Sequence, residues 1–331
     1  MQTSQRDSYF DFLRGLAIIF VVGIHTVGSG FDYYSATGFL TVLVRQIIGC
    51  AVPIFLAISG FFLVKKNMKT MKEYTSFLKK QIPIVYFPCL FWSLPYLLIS
   101  IKSGNSIFYS FLLLFICGFS VYYFVACIIQ CYILLPIIKT RNFLFTILML
   151  ITSLLWAFLH VKYNLIPNAK IPLVIYAAPF PNLLVFFSLG CWLGCKERTY
   201  SLSLMIFLLI LSLGLSVYET NFLHDTFEIS GLGMKPSIHI FDFLSILVLF
   251  HQKTKKLYKE NWVTKKICDL GIDSFTIYLI HLLVAIVLFR IPMINQFWLS
   301  KWFILLFTSW MFVKVMKSFL SNKVWKFLGL R

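Results

Sequence analysis

Hydrophobic residues occupy 60% of the 331 positions and charged residues only 13%, against the roughly even apolar share and quarter charged share of a soluble domain, so a water-soluble globular protein is excluded. The net charge of +18 does not indicate a nucleic-acid partner, because the basic residues are dispersed between apolar runs and form no single basic face. Unbroken apolar runs near the ~20 residues that a helix needs to cross hydrocarbon, without short strands of alternating polarity, exclude a transmembrane barrel and predict an all-α polytopic integral membrane protein.

Apolar length and the distribution of Lys and Arg predict about ten transmembrane helices, over 9–28, 40–64, 82–101, 121–138, 143–160, 174–194, 201–218, 236–251, 268–289 and 302–317. The 106–118 stretch is apolar but too short to cross, and is predicted to be a re-entrant or interfacial helix. With the amino terminus inside, segments 65–80, 139–142, 196–198, 251–266 and 317–331 are cytoplasmic and hold roughly twenty Lys and Arg, against about six in the opposite loops. Both termini are therefore expected in the cytoplasm, with the chain a single transmembrane domain (1–331) in the plasma or inner membrane. Arg14 interrupts the first apolar run, which argues against a cleavable signal peptide. Cys50, Cys89, Cys117, Cys127, Cys131, Cys191, Cys195 and Cys268 lie in or beside apolar segments without CxxC spacing, and are read as small core residues. No metal site is predicted. Segment 219–236, with Glu219, Asp225 and Glu228, is predicted as a solvated outer loop, with contact to a polar substrate as the alternative.

The first span, DFLRGLAIIFVVGIH, carries three ionisable groups. Arg14 and His25 are separated by three helical turns plus ~20°, so they share a face, ~16 Å apart along the axis. Asp11, one turn before Arg14, is placed for an i,i+3 ion pair that lowers the cost of burying both charges. Such a stripe belongs against the bundle interior or a water-filled cavity, and points to function; the alternative is a structural ion pair with a core histidine. Ser274, Tyr278 and His281 fall on one face of the ninth span, where they would complete a cavity with an imidazole on each side; for His281 a satisfied core histidine is the alternative. Three roles are open to Arg45 in the second span: stabilising an anionic intermediate, binding a substrate phosphate, or snorkelling to the outer interface. Ser59 is a weaker candidate, since Ser59-Gly60 also suits close helix packing. Asp242 and Asp273 are read as capping or loop-pairing residues near span ends, outside the catalytic set.

Asp11-Phe-Leu-Arg14 followed by ten residues and His25 resembles the opening motif of the membrane-bound acyltransferase 3 family, which includes bacterial O-acetyltransferases of surface polysaccharides. VPIFLAISGFFL (52–63), YYFVACIIQCYILLP (122–136), FFSLGCWLG (186–194) and SFTIYLIH (274–281) are similar to later motifs of that family, in family order. The resemblance implies an O-acyltransferase that takes an acetyl group from cytoplasmic acetyl-CoA and gives it to a hydroxyl of a lipid-linked or surface glycan, a carbohydrate acceptor at the outer face of the lipid bilayer. His25 is then the general base and Arg14, oriented by Asp11, holds the donor; His281, Tyr278, Ser274, Arg45 and Ser59 are candidate substrate-binding residues. Many members carry an Arg-x-x-Arg pair before the third span; here Lys79, Lys80 and Gln81 stand there, keeping charge for donor binding but losing the bidentate guanidinium fork, with a role as topology signals alone as the alternative. Some relatives pass the acyl group to an extramembrane domain, whereas this chain is expected to finish the transfer itself or with a separate partner. The competing reading is a transporter or flippase of a polysaccharide intermediate, with the same polar groups lining its pathway.

Overall fold

The computed structural model describes residues 7–27, 33–66, 68–139, 143–164, 173–195, 199–291 and 298–329, and among them every regular element is helical. Helix α1 (Ser8–Ile24) starts at Asp7, whose carboxylate caps the Tyr9 N–H. The span predicted over 40–64 is divided into α2 (Ala36–Ile48) and α3 (Ala51–Leu63). Pro53 is the cause: it has no N–H to offer the Gly49 carbonyl and its ring crowds that oxygen, so the ladder breaks at Gly49–Cys50.

Helix α4 (Met71–Lys102) begins well before the predicted 82–101, inside the segment read as a basic loop. A capping box sets its start, with the Thr70 hydroxyl accepting from the Glu73 N–H and the Glu73 carboxylate accepting from the Thr70 N–H. Lys79 and Lys80 are thus exposed helical residues. Helix α5 (Ile107–Phe115) has nine residues, too short to cross, as predicted. A 3₁₀ turn (Ser120–Tyr122) leads into α6 (Tyr123–Lys139), then α7 (Phe143–Asn164). The predicted 174–194 span is also broken, into α8 (Leu173–Ala177) and α9 (Phe180–Cys195), because Pro179 removes a donor and disfavours helical backbone in the residue before it. The Gln130 side chain bridges that break, donating to the Ala178 carbonyl and accepting from the Phe180 N–H, both at 2.9 Å.

Helix α10 (Leu202–Phe227) runs well into the predicted outer loop. It is followed by α11 (Pro236–Phe250), α12 (Gln252–Leu257), α13 (Trp262–Leu288), α14 (Trp298–Phe319) and α15 (Asn322–Leu328). Among the described residues, seven helical stretches are long and apolar enough to cross a membrane: 36–63, 71–102, 120–138, 143–164, 202–227, 262–288 and 298–319. The other predicted spans correspond to α1, α9 and α11, of 17, 16 and 15 residues. Six of the cysteines are buried, whereas Cys195 is exposed and Cys268 half-buried.

Two helix pairs meet backbone to backbone. A Cβ on Gly15 of α1 would lie 1.9 Å from the Ile267 carbonyl oxygen, and one on Gly271 of α13 would lie 1.9 Å from that of Asp11. At the second pair a Cβ on Gly60 of α3 would meet the Phe187 carbonyl at 2.2 Å, and one on Gly190 of α9 would meet that of Ala57 at 2.1 Å. Helices in lipid gain no hydrophobic free energy from leaving it, so close approach at small residues supplies the dispersion contacts that hold them. Gly271→Ala is accordingly expected to lower the thermal midpoint of the detergent-solubilised protein by several degrees, an overpacking cost of about 1–3 kcal/mol. A Cβ on Gly214 of α10 would have nothing within 4 Å of it; Gly214→Ala should leave the midpoint unchanged or raise it slightly, by about 0.5–1 kcal/mol.

Candidate active site

One end of the bundle contains a cavity of about 320 Å³ whose wall includes His25, Arg45, Tyr123, His160, Tyr176, Asn182, His239, Asp242 and Tyr278. His25 caps the carboxyl end of α1 and keeps its ring accessible because the cavity opens beside it. Its ring centroid lies 5.3 Å from that of His281, which is fully buried in α13. His281 Nδ1 faces the Tyr278 carbonyl at 2.7 Å. A carbonyl only accepts, so Nδ1 carries the hydrogen and Nε2 keeps a lone pair, which has no partner among the described residues. Tyr278 lines the same cavity and donates its hydroxyl to the Val121 carbonyl.

Arg45 faces the cavity rather than the outer interface, and makes no ion pair among the described residues. The carboxylate in the same wall, Asp242, is in the middle of α11 and buried, not at a span end as its sequence position suggested. It accepts no hydrogen bond among the described residues. Three residues from Asp242, on the same helix face, His239 points Nε2 at Asn182 Oδ1, 2.9 Å away. The sequence reading passed over His239, Asn182, His160, Tyr123 and Tyr176; a histidine and a carboxylate three apart within an apolar run was the available signal.

The loop after α10 closes one side of the cavity through Leu232, Gly233 and Met234. It is anchored rather than solvated: Lys235 is buried and donates to Gln46 Oε1 at 2.6 Å and to the Gly231 carbonyl at 2.9 Å, while Ser216 donates to the same Gln46 oxygen at 2.7 Å. Glu219 accepts from the Ser237 N–H, Asp225 accepts from the Tyr34 hydroxyl, and Glu228 ends α10 in a left-handed conformation.

The remaining predicted residues lie elsewhere. Arg14 donates to Asp11 at 2.7 Å, the i,i+3 pair expected, and stacks over the Phe62 ring at 5.5 Å, but it is not among the residues lining the cavity. Ser274 is buried one turn before Tyr278, outside the cavity wall. Ser59 donates to the Phe55 carbonyl of its own helix at 2.9 Å. At the opposite end of the bundle a second cavity, of about 460 Å³, is walled by Tyr9, Phe10, Phe61, Lys65, His251 and Lys255, among others. The Lys65 ammonium sits 3.9 Å above the Phe61 ring, and burial together with the nearby Lys255 charge lowers its pKa from the ordinary lysine value. Lys79 and Lys80 line neither cavity.

A helical bundle in the membrane with a polar chamber of imidazoles and an arginine defines a class of integral membrane protein suited to group transfer. Residues 7–315, nearly the whole chain, match the family model described as an acyltransferase domain, and the protein belongs to the acyltransferase 3 family. It is a multi-pass membrane acyltransferase. No curated protein and no solved structure matches the chain.

Asp273, a buried carboxylate of α13 outside the cavity wall, is by contrast paired. It meets Lys317 at 2.5 Å, Lys314 at 3.0 Å and the Trp310 indole at 3.2 Å, tying α13 to α14. Asp273→Asn is expected to lower the thermal midpoint, since removing one partner of a buried pair costs up to about 3–5 kcal/mol. Acyl transfer per folded molecule should remain near wild type, as measured on the monodisperse fraction.

Proposed function

We propose that the protein is an O-acyltransferase of the plasma or inner membrane that moves an acetyl group from acetyl-CoA to a hydroxyl of a lipid-linked or surface glycan. The observation that carries this reading is His25 in the chamber, 5.3 Å from the His281 ring, with Arg45 in the same wall. His25 takes the proton of the acceptor hydroxyl as its oxygen attacks the thioester carbonyl. The C–S bond breaks, and the coenzyme A thiolate leaves with that proton. With Nδ1 of His281 turned to the Tyr278 carbonyl, its Nε2 lone pair is left to accept an N–H from His25 in the working complex, and the other His25 nitrogen then acts as base. Arg45 is the cation of the chamber wall and stabilises the oxyanion.

Arg14 lies ~16 Å from His25 along α1, a separation that suits the phosphate end of an extended donor better than its carbonyl. The second cavity, with Lys65 and Lys255 in its wall, supports entry of the polyanionic donor at the end of the bundle that the basic segments assign to the cytoplasm. Ser59, Ser274, Lys79 and Lys80 do not line the chamber and take no direct part in this scheme.

The test is transfer of radiolabelled acetyl from acetyl-CoA to endogenous glycan in membranes holding matched amounts of wild type, His25→Ala or Arg14→Ala. His25→Ala is expected to lose at least about a hundredfold in rate, and Arg14→Ala to raise the KM for acetyl-CoA. Wild-type transfer by His25→Ala would overturn the base assignment, and labelling of no glycan by wild type would overturn the donor and acceptor classes. In the same assay Arg45→Gln should lower kcat by about 10²–10³ with little change in the acetyl-CoA KM, the signature of a group acting on the transition state.

A further inference from the structure

We propose that Asp242, braced by His239 with Asn182 behind it, forms the acceptor subsite of the chamber, a polar wall whose unpaired carboxyl takes a hydroxyl of one sugar ring. The inference rests on the glycan-acceptor reading above and goes beyond it by naming the residues that select the acceptor.

The wall's polarity follows from its hydrogen bonds. Asn182 Nδ2 donates to the Ala177 carbonyl at 3.0 Å, which leaves Oδ1 as the atom facing His239. Both ring nitrogens of His239 face protein acceptors, Nε2 the Asn182 Oδ1 and Nδ1 the Lys235 carbonyl one turn back on the same helix, so the imidazole is held as a fixed polar wall beside Asp242. Asp242, on the same face of α11, has no hydrogen-bond or ion-pair partner among the described residues. Both residues are more than nine-tenths buried and both line the chamber. Buried acceptors left unsatisfied are costly, so a ligand that supplies donors gains affinity here.

The two substrates differ in this respect. A thioester and its acetyl group carry no hydrogen-bond donor at the reacting end, whereas a sugar presents adjacent hydroxyls that donate to neighbouring acceptors. The same wall holds the rings of Tyr123, Phe124 and Tyr176, against which the C–H face of a sugar can pack. A volume of about 320 Å³ is at the lower end of the roughly 300–1,000 Å³ range of small-molecule sites, and suits one ring rather than an oligosaccharide. The same chamber holds His25 and Arg45, so a ring held by Asp242 has a further hydroxyl to offer the base.

The experiment measures acetyl transfer from acetyl-CoA to hexyl β-glycosides of glucose, galactose and N-acetylglucosamine, then to the monodeoxy analogues of the best acceptor, by wild type and Asp242→Asn. Wild type should lose at least about tenfold in kcat/KM on one deoxy analogue, because a site built to bind a hydroxyl rejects a substrate lacking it. In Asp242→Asn the acceptor KM should rise at least about tenfold, the acetyl-CoA KM should move less than about twofold, and the discrimination against that analogue should collapse. A purely structural aspartate would lower every rate alike and leave the discrimination intact, which would overturn the subsite. Where Asp242→Asn yields no folded protein, His239→Gln, which keeps a donor to Asn182 and removes the imidazole that braces Asp242, decides by the same readouts. Wild-type transfer to none of the glycosides would overturn the glycan reading and the subsite with it. Unchanged acceptor KM and discrimination with transfer intact would overturn the subsite alone.

Discussion

The contact on which the site depends is the backbone approach of α1 to α13, where Gly15 and Gly271 leave no room for a side chain against the Ile267 and Asp11 carbonyls. In hydrocarbon, two helices gain little by merely touching, and a pair that can approach to backbone contact gains dispersion along its whole length. Reciprocal contacts of this kind also fix axial register, because a shift of either helix would drive a carbonyl into the neighbouring turn. With the register fixed, the end of α1 and the outer part of α13 bring the His25 and His281 rings to 5.3 Å. Helix α14 reinforces the arrangement through the Trp302 indole, which donates to the Ile19 carbonyl at 2.8 Å.

The buried carboxylates show how the fold separates structural from chemical polarity. Asp273 has two ammonium groups and an indole around it, as a buried charge requires if it is to stabilise a helix pair. Asp11 is held in the same manner by Arg14. Asp242 has neither kind of partner among the described residues, yet it lies in the wall of the chamber that also holds His25 and Arg45. Polar groups that the fold leaves unsatisfied beside a cavity are the ones available to a substrate.

Proline governs where the helices break, and the breaks shape the chamber. Gly49, Val52 and Pro53 at the interruption between α2 and α3, and Ala177 at the one between α8 and α9, all line it. A continuous helix at either place would run past the chamber with its backbone groups satisfied internally. The breaks instead let Gln130 recruit the Ala178 carbonyl and the Phe180 N–H, and place Asn182 opposite His239.

Several features were legible in the sequence: the helical class, the Asp11–Arg14 pair, the cavity-facing position of His25 and the imidazole of His281 on the partner helix. Each rests on helical periodicity within one segment, which local chemistry settles. The early start of α4 was also legible, in the Thr70 and Glu73 capping pair, but the lysines around it read as a loop. Pairing between segments was not legible. That α11 turns His239 and Asp242 into the chamber, that Arg45 rather than Arg14 shares it with His25, and that Lys235 is buried on Gln46 all follow from which helices pack together and in what register. A single polar residue in an apolar run has no period to reveal its face, so its surroundings exist only once backbone contacts such as Gly15 on α13 have set the neighbours in place.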